Sequence, residues 1–376
     1  FWTGALFLGL GALTFATYAA GQRVRRGGLA ALILVFNGLV IAEYLGFRPL
    51  ASITEAHTTL STVYPAVTVS YRGQVAGVCV LLALLPLGWF RDRYSDWRFW
   101  LLFLVGVVGL GCTTNSSATL GFVVSMLLFM LLSWNRLGRK NLVCLLLIPL
   151  AALVAMNAYR PLMTFSQALY AAGAAPAQAN AKDLRDTKTL SIRLRLWEAG
   201  LHLFAARPLL GWGPQTYNHH WFDYLPDEKV KETFRMELGL APTLALTRQG
   251  NSVSYTGPDG KPAQMALNYV APHNAFVDLL YSQGLAGLLS FTLLLVAVAR
   301  LVVGRLGRAG ALALLPVGGY LIYLSAWFIT VPSTGLAAML LGMVVAEARG
   351  AEARGAGARG AGARGAGARA AGQALQ

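Results

Sequence analysis

Three groups of residues in this sequence could do chemistry, by holding an anionic group, exchanging a proton or lining a polar cavity. Arg193 and Arg195 stand close to Trp197. A planar guanidinium forms bidentate, charge-assisted hydrogen bonds to phosphate oxygens, and its charge does not depend on pH. The same pattern also serves as an Arg-Trp anchor tying a helix to lipid phosphates. His273 and Asn274 follow Pro272 at the head of an apolar run. Histidine exchanges a proton near neutral pH, and an ionisable residue at a membrane boundary is a functional candidate, although a His-Asn pair can equally cap a helix. Arg72, between Tyr71 and Gly73, and the polar knot Thr113-Thr-Asn-Ser-Ser117, which contains Asn115 and Ser117, form the third group. They could line a polar cavity on one side of a bundle, or simply snorkel and cap. His219 and His220 beside Trp221 have no further Cys or acidic ligand at metal spacing, so no metal is expected. There is no Walker motif, no strand-borne G-x-G-x-x-G and no H-E-x-x-H, which removes support for nucleotide-driven transport and zinc proteolysis.

The elements that must position these groups are apolar helices. Of 376 residues 56% are hydrophobic and 12% charged, and the mean hydropathy of +0.54 is outside the range of soluble domains. The composition requires lipid as solvent. The three cysteines, Cys79, Cys112 and Cys144, lie in or at the ends of apolar runs without C-x-x-C spacing and read as reduced core residues. Nine runs are long enough, or nearly so, to span a bilayer: 2–20, 28–46, 74–90, 98–112, 118–134, 141–158, 275–299, 311–330 and 335–347. Basic connections at 22–28, 91–98, 135–140 and 300–308 and the Arg-rich tail alternate with less basic ones. By the positive-inside rule the basic set is cytoplasmic. The net charge of +15 is therefore a matter of topology, not of nucleic-acid binding. Connections 47–73, 113–117, 160–272 and 332–334 then face outward. The expected organisation is N-terminal membrane helices over 1–158, a long periplasmic segment with amphipathic helices over 159–272, C-terminal membrane helices over 273–348 and a low-complexity Ala/Gly/Arg tail over 349–376 that touches anionic membrane lipid. Phe1 opens inside an apolar run, so earlier spans are expected to precede it.

Within the long outer segment, residues 171–181 are Ala/Pro/Gln-rich and read as a flexible entry. Leu190, Leu194, Trp197, Leu201 and Phe204 recur at spacings of three and four and predict an amphipathic helix over 184–206, ended by Pro208. Gly211-Trp-Gly213 makes a turn, and residues 249–260 read as a hairpin or surface loop. The modest apolar content favours helices lying on the membrane surface over a folded cap.

The run Arg193-Leu-Arg-Leu-Trp197, then Ala206-Arg-Pro-Leu-Leu-Gly-Trp-Gly213, then Pro272-His-Asn-Ala-Phe276 with Gly284-Leu-Ala-Gly287, resembles the O-antigen ligase and O-antigen polymerase superfamily. The resemblance covers residues 193–289 in its motifs and most of the chain in its hydropathy plan. It implies an all-α, GT-C-like polytopic membrane protein of about twelve spans, in a bacterial inner membrane, with a largely helical periplasmic segment that carries the active site. It further implies a metal-independent inverting glycosyltransferase that needs no cofactor and takes an undecaprenyl-diphosphate-linked glycan as donor. His273 matches the family's general base and Arg193 its diphosphate-binding Arg. The family's Thr-x-Ser/Thr-Arg motif reads Thr114-Asn-Ser-Ser-Ala118 here, with Ser117 in the Arg position. Arg72, on a loop of the same face, is the expected substitute cation, and Arg195 the alternative. Transfer to a lipid A-core sugar is the leading expectation. Polymerisation of lipid-linked units, protein O-glycosylation and non-enzymatic lipid or polysaccharide transport are the rivals, the last requiring charges in mid-span.

Overall fold

The computed structural model describes residues 26–45, 47, 65, 67, 72–89, 96–158, 188–238, 240–257, 260–330 and 332–352. The expected span at 2–20, the flexible entry and the tail beyond Glu352 lie outside them. The membrane part is built from α1 (Arg26–Tyr44), α2 (Arg72–Trp89), α3 (Trp97–Cys112), α4 (Ser116–Ser133) and α5 (Arg139–Ala158). An outer unit follows, made of α6 (Lys188–Ala206), the single turn α7 (Tyr217–His220), α8 (Asp227–Leu238) and strands β1 (Thr247–Gln249), β2 (Ser252–Thr256) and β3 (Pro262–Ala266). The chain returns through α9 (Ala275–Leu306), α10 (Arg308–Ala313), α11 (Leu315–Leu324) and α12 (Pro332–Glu352).

Five helices among the described residues are long and apolar enough to cross a membrane: Gly27–Tyr44, Ser116–Arg136, Arg139–Met156, Ala275–Leu306 and Pro332–Glu352. Gly73–Trp89, Trp97–Cys112 and Leu315–Leu324 are shorter apolar helices. Helix α2 is the axis of the bundle, because its side chains from Val75 to Leu87 are almost all buried, and it packs against α3, α4 and α11. Small residues permit this closeness, as expected where apolar side chains gain nothing by leaving lipid. A Cβ on Gly121 would meet the Gly319 carbonyl at 2.3 Å.

The outer unit differs from the expected helices on a surface. It has its own apolar core, in which Leu196, Leu203, Trp221, Phe234 and Val253 are buried together. A three-stranded antiparallel sheet of order β1-β2-β3 lies across residues 247–266. The helical stripe also resolves differently. Leu190, Leu194 and Leu201 are exposed, whereas Ile192, Leu196, Ala199 and Leu203 face the core. Ion pairs Arg195–Glu232 and Lys229–Glu198, each 2.5 Å, tie α6 to α8.

The run expected to span from residue 311 to 330 is instead α10 and α11 followed by a non-helical stretch, with Pro316 opening the second helix. Helix α9 is broken at Gly284 (φ 65°, ψ −163°), so it is two helices end to end. Into that break fits the loop at 208–213. Trp212 N–H donates to the Tyr281 carbonyl (2.8 Å) and Gly213 N–H to Ser282 (2.8 Å), while Leu285 N–H donates to Pro208 (2.8 Å) and Ala286 N–H to Leu209 (3.2 Å). A Cβ on Gly284 would meet the Leu209 carbonyl at 2.3 Å, and one on Gly211 (φ 68°) would meet the Tyr281 carbonyl at 2.5 Å. Gly284→Ala is therefore expected to destabilise the protein by about 1–3 kcal/mol, from the left-handed backbone and the lost fit. Gly304→Ala, in the same helix with open space around it, should leave thermal unfolding of the purified protein unchanged or slightly raised.

Candidate active site

Gly73, Arg193 and His273, from connections expected on one face, gather around Trp327, which is buried in the stretch after α11. Hydrogen bonds hold that stretch: the Tyr320 hydroxyl bridges Ser333 Oγ (2.9 Å) and Thr334 Oγ1 (2.6 Å), and Thr330 Oγ1 lies 2.7 Å from Ser333 Oγ. From α11, the Tyr323 hydroxyl donates to the Gly73 carbonyl at 2.6 Å, fixing the start of α2. Gly73 is needed there because a Cβ would lie 2.0 Å from the Trp327 ring.

Arg193, from α6, lays its guanidinium over the Trp327 ring, 5.4 Å from the centroid, and its Nη1 donates to Ser117 Oγ at 3.4 Å. Ser117 stands in the first turn of α4, where the Asn115 side chain caps the helix by accepting from Ala118 N–H (3.0 Å). Ser117, at the position where the resemblance led an arginine to be expected, thus receives the guanidinium of Arg193. His273 meets Trp327 edge-on with ring centroids 5.4 Å apart, and its ring also packs edge-on to Phe328 (5.2 Å) and Tyr269 (6.2 Å). Its backbone is left-handed (φ 55°), a conformation uncommon outside glycine that costs of order 1–3 kcal/mol and persists where the surroundings enforce it. Asn274 does part of that enforcement, since its Oδ1 caps α9 by accepting from Phe276 N–H (3.0 Å) and Val277 N–H (3.1 Å).

Burial holds the His273 imidazole well below its ordinary value, to about 4, and the nearby Arg193 charge pushes in the same direction, against a smaller opposing effect of the Ala271 carbonyl. Its Nδ1 is buried with no hydrogen-bond partner among the described residues. At neutral pH the ring is uncharged and can accept a proton. Tyr269, against the far side of the ring, has its hydroxyl pushed upward by burial and then by the Glu237 carboxylate, so it stays protonated.

Of the residues singled out in the sequence, His273, Arg193 and Ser117 are brought together. Asn115 and Asn274 act on helix ends. Trp197 stands one turn beyond Arg193 on α6, its indole N–H buried without a partner among the described residues. Arg195 is directed elsewhere, to Glu232. Helix α2 begins at Arg72, next to Gly73 at the Trp327 ring, but the Arg72 side chain lies outside the described residues. Trp327 and Phe328 were not read as site residues, because they sit in an apolar run and carry no spacing signal.

Residues 108–233 match the family model described as O-antigen ligase. That segment is of the O-antigen ligase and polymerase superfamily. It covers a third of the chain and includes the polar knot, Ser117, Arg193 and the loop at 208–213; His273 lies beyond it. No curated protein matches the chain. The apolar helices and the match together support a multi-pass membrane protein, and the match supports an O-antigen ligase or polymerase type for the segment it covers.

The two causes of the depressed histidine can be separated. In histidine-labelled protein followed by NMR, the His273 signal, assigned by its loss in His273→Gln, is expected to titrate near pH 4. Arg193→Met removes the positive charge and should move that midpoint upward, leaving it below the ordinary value of about 6.5 because burial, the larger cause, remains. A midpoint unmoved by Arg193→Met would contradict the electrostatic link between the two side chains.

Proposed function

We propose that the protein is a metal-independent, inverting glycosyltransferase that moves a glycan from undecaprenyl diphosphate to a hydroxyl of a lipid A-core sugar, on the periplasmic face of the inner membrane. The observation that carries this reading is the seating of Arg193 and neutral His273 against one buried indole, close enough for each charge to affect the other. His273 accepts the proton of the acceptor hydroxyl as its oxygen attacks the anomeric carbon from the side opposite the diphosphate. The bond from that carbon to the diphosphate oxygen breaks. Arg193 stabilises the charge that gathers on the departing diphosphate, and in a water-poor site one such interaction is worth more than it would be in solution. No nucleotide is required, because the diphosphate ester already carries the activation.

Donor binding also adjusts the base. The diphosphate offsets the Arg193 charge that depresses His273, so the imidazole becomes more basic when the donor is in place. A base that is weak in the empty site and stronger in the loaded one favours transfer over idle protonation.

With purified protein, lipid-diphosphate glycan and lipid A core, His273→Ala is expected to lower kcat by about 10²–10⁴-fold, the usual range for loss of a general base. Arg193→Ala should lower it by about 10²-fold or more, and Arg193→Lys should recover only part, because an ammonium lacks the planar fork. Full transfer by both alanine variants would rule the mechanism out. Product that lengthens with donor alone would replace the ligase reading by polymerisation while leaving the two residue roles intact.

A further inference from the structure

The loop that fills the break in α9 has a side that no described residue covers. Leu209 is 70% exposed and Leu210 78% exposed, although the backbone on either side of them is bonded to α9. Two leucines left bare by the described residues at a rigid position form an apolar patch that gains from an apolar environment around it. The helix they join changes character at the same level. Before the break, Ala275, Val277, Leu279, Tyr281 and Ser282 are buried; after it, Leu285, Leu289, Leu293 and Leu294 are exposed. Pro208 and Leu209 accept the N–H groups of Leu285 and Ala286, so the bare loop stands at the top of that exposed apolar face. From 285 to 306 the helix would extend about 33 Å at about 1.5 Å per residue, close to the roughly 30 Å of a bilayer's hydrocarbon core. Just before the leucines, Arg207 lies over the Trp212 ring at 4.1 Å, a pairing suited to the headgroup level.

We propose that the loop at 208–213 is a membrane-inserted element, with Leu209 and Leu210 among the acyl chains of the outer leaflet. On this view α9 enters the bilayer at Gly284 and not at its first residue. The segment 275–283 then belongs to the outer unit, and His273 is held in protein above the lipid boundary and not at it. The backbone lock makes the loop a fixed depth gauge that sets the height of Arg193 and His273 over the plane where a lipid-linked substrate is anchored. The inference rests on geometry and exposure and does not need the catalytic assignment.

The test uses the full chain in phospholipid nanodiscs. Nitroxide labels at Leu209→Cys and Leu210→Cys, each in a cysteine-free background, are compared with Leu293→Cys on α9 and Ala266→Cys on the exposed strand β3. The loop labels are expected to relax more with oxygen than with a water-soluble nickel chelate, as at Leu293→Cys, and the label at Ala266→Cys should show the reverse. Nickel-dominated relaxation at both loop positions overturns the proposal. Shielding from both reagents overturns it as well, because it means that protein, such as a second copy of the chain, covers the leucines. The unmodified chain provides a control that does not depend on substitution. A lipid-borne diazirine should leave adducts on the peptide containing 208–213, and their absence alongside labelled 285–294 counts against insertion.

Discussion

The arrangement depends on one irregularity, the broken helix at Gly284 and the loop backbone that completes it. A break exposes carbonyl and amide groups that would each cost several kcal/mol if left unpaired in an apolar setting. Here the carbonyls of Tyr281 and Ser282 and the amides of Leu285 and Ala286 all find partners between Pro208 and Gly213. The outer unit is therefore joined to a membrane helix through main chain, which does not change rotamer. Tyr217 reinforces the joint by donating to the Leu196 carbonyl (2.5 Å) and packing edge-on to Tyr281 at 5.1 Å. Because α6 leads into the loop and His273 leads into α9, the joint fixes the relation between Arg193 and His273. The glycines at 211 and 284 are what allow the two backbones to approach so closely.

Trp327 is the second organising feature. It is the common wall for a cation from the outer unit, an imidazole from the returning chain and the backbone of α2. An indole can serve all three, since its face attracts the guanidinium, its edge meets other rings, and its bulk excludes water. Excluding water lowers the local dielectric, which strengthens the action of Arg193 and disfavours the charged imidazole. In the proposed mechanism the same packing would serve both leaving-group stabilisation and a neutral base, from residues far apart in the sequence.

How much of this could be read from the sequence follows from which forces leave a pattern. The apolar runs were legible because each helix must satisfy its own backbone and present apolar side chains to lipid, and the described helices begin and end near the runs. Charge placement put Ser117, Arg193 and His273 on one expected side, and the structure seats Arg193 on Ser117 and shares the Trp327 ring between Arg193 and His273. The stripe on α6 misled because the helix is apolar around much of its girth. Leu190, Leu194 and Leu201 follow the helical period as well as Ile192, Leu196, Ala199 and Leu203 do, and only the tertiary partner chooses between them. The turn residues at 249–260 signalled a hairpin or surface loop, but the three-stranded sheet was hidden because TRQ, SVSYT and PAQMA are short, largely polar and one begins with proline, so their pairing comes from turns at Gly250 and Gly260 and from Val253 in the core. Trp327 was invisible because burial in a site and burial in a span look alike.

Under the proposed mechanism, the serine at 117 stands between two demands that oppose each other. More positive charge beside the diphosphate binds the donor and eases its departure, yet each added cation near His273 makes the imidazole a weaker base. With Ser117 accepting from Arg193, the described residues place one guanidinium over Trp327 and orient it with a neutral partner. A hydroxyl positions that guanidinium without cancelling its charge, as a carboxylate would, and without adding to the field on His273, as a second guanidinium would. The contrast with Arg195 makes the same point, since its pairing with Glu232 turns a neighbouring cation of the same helix away from the imidazole and uses it to hold α8.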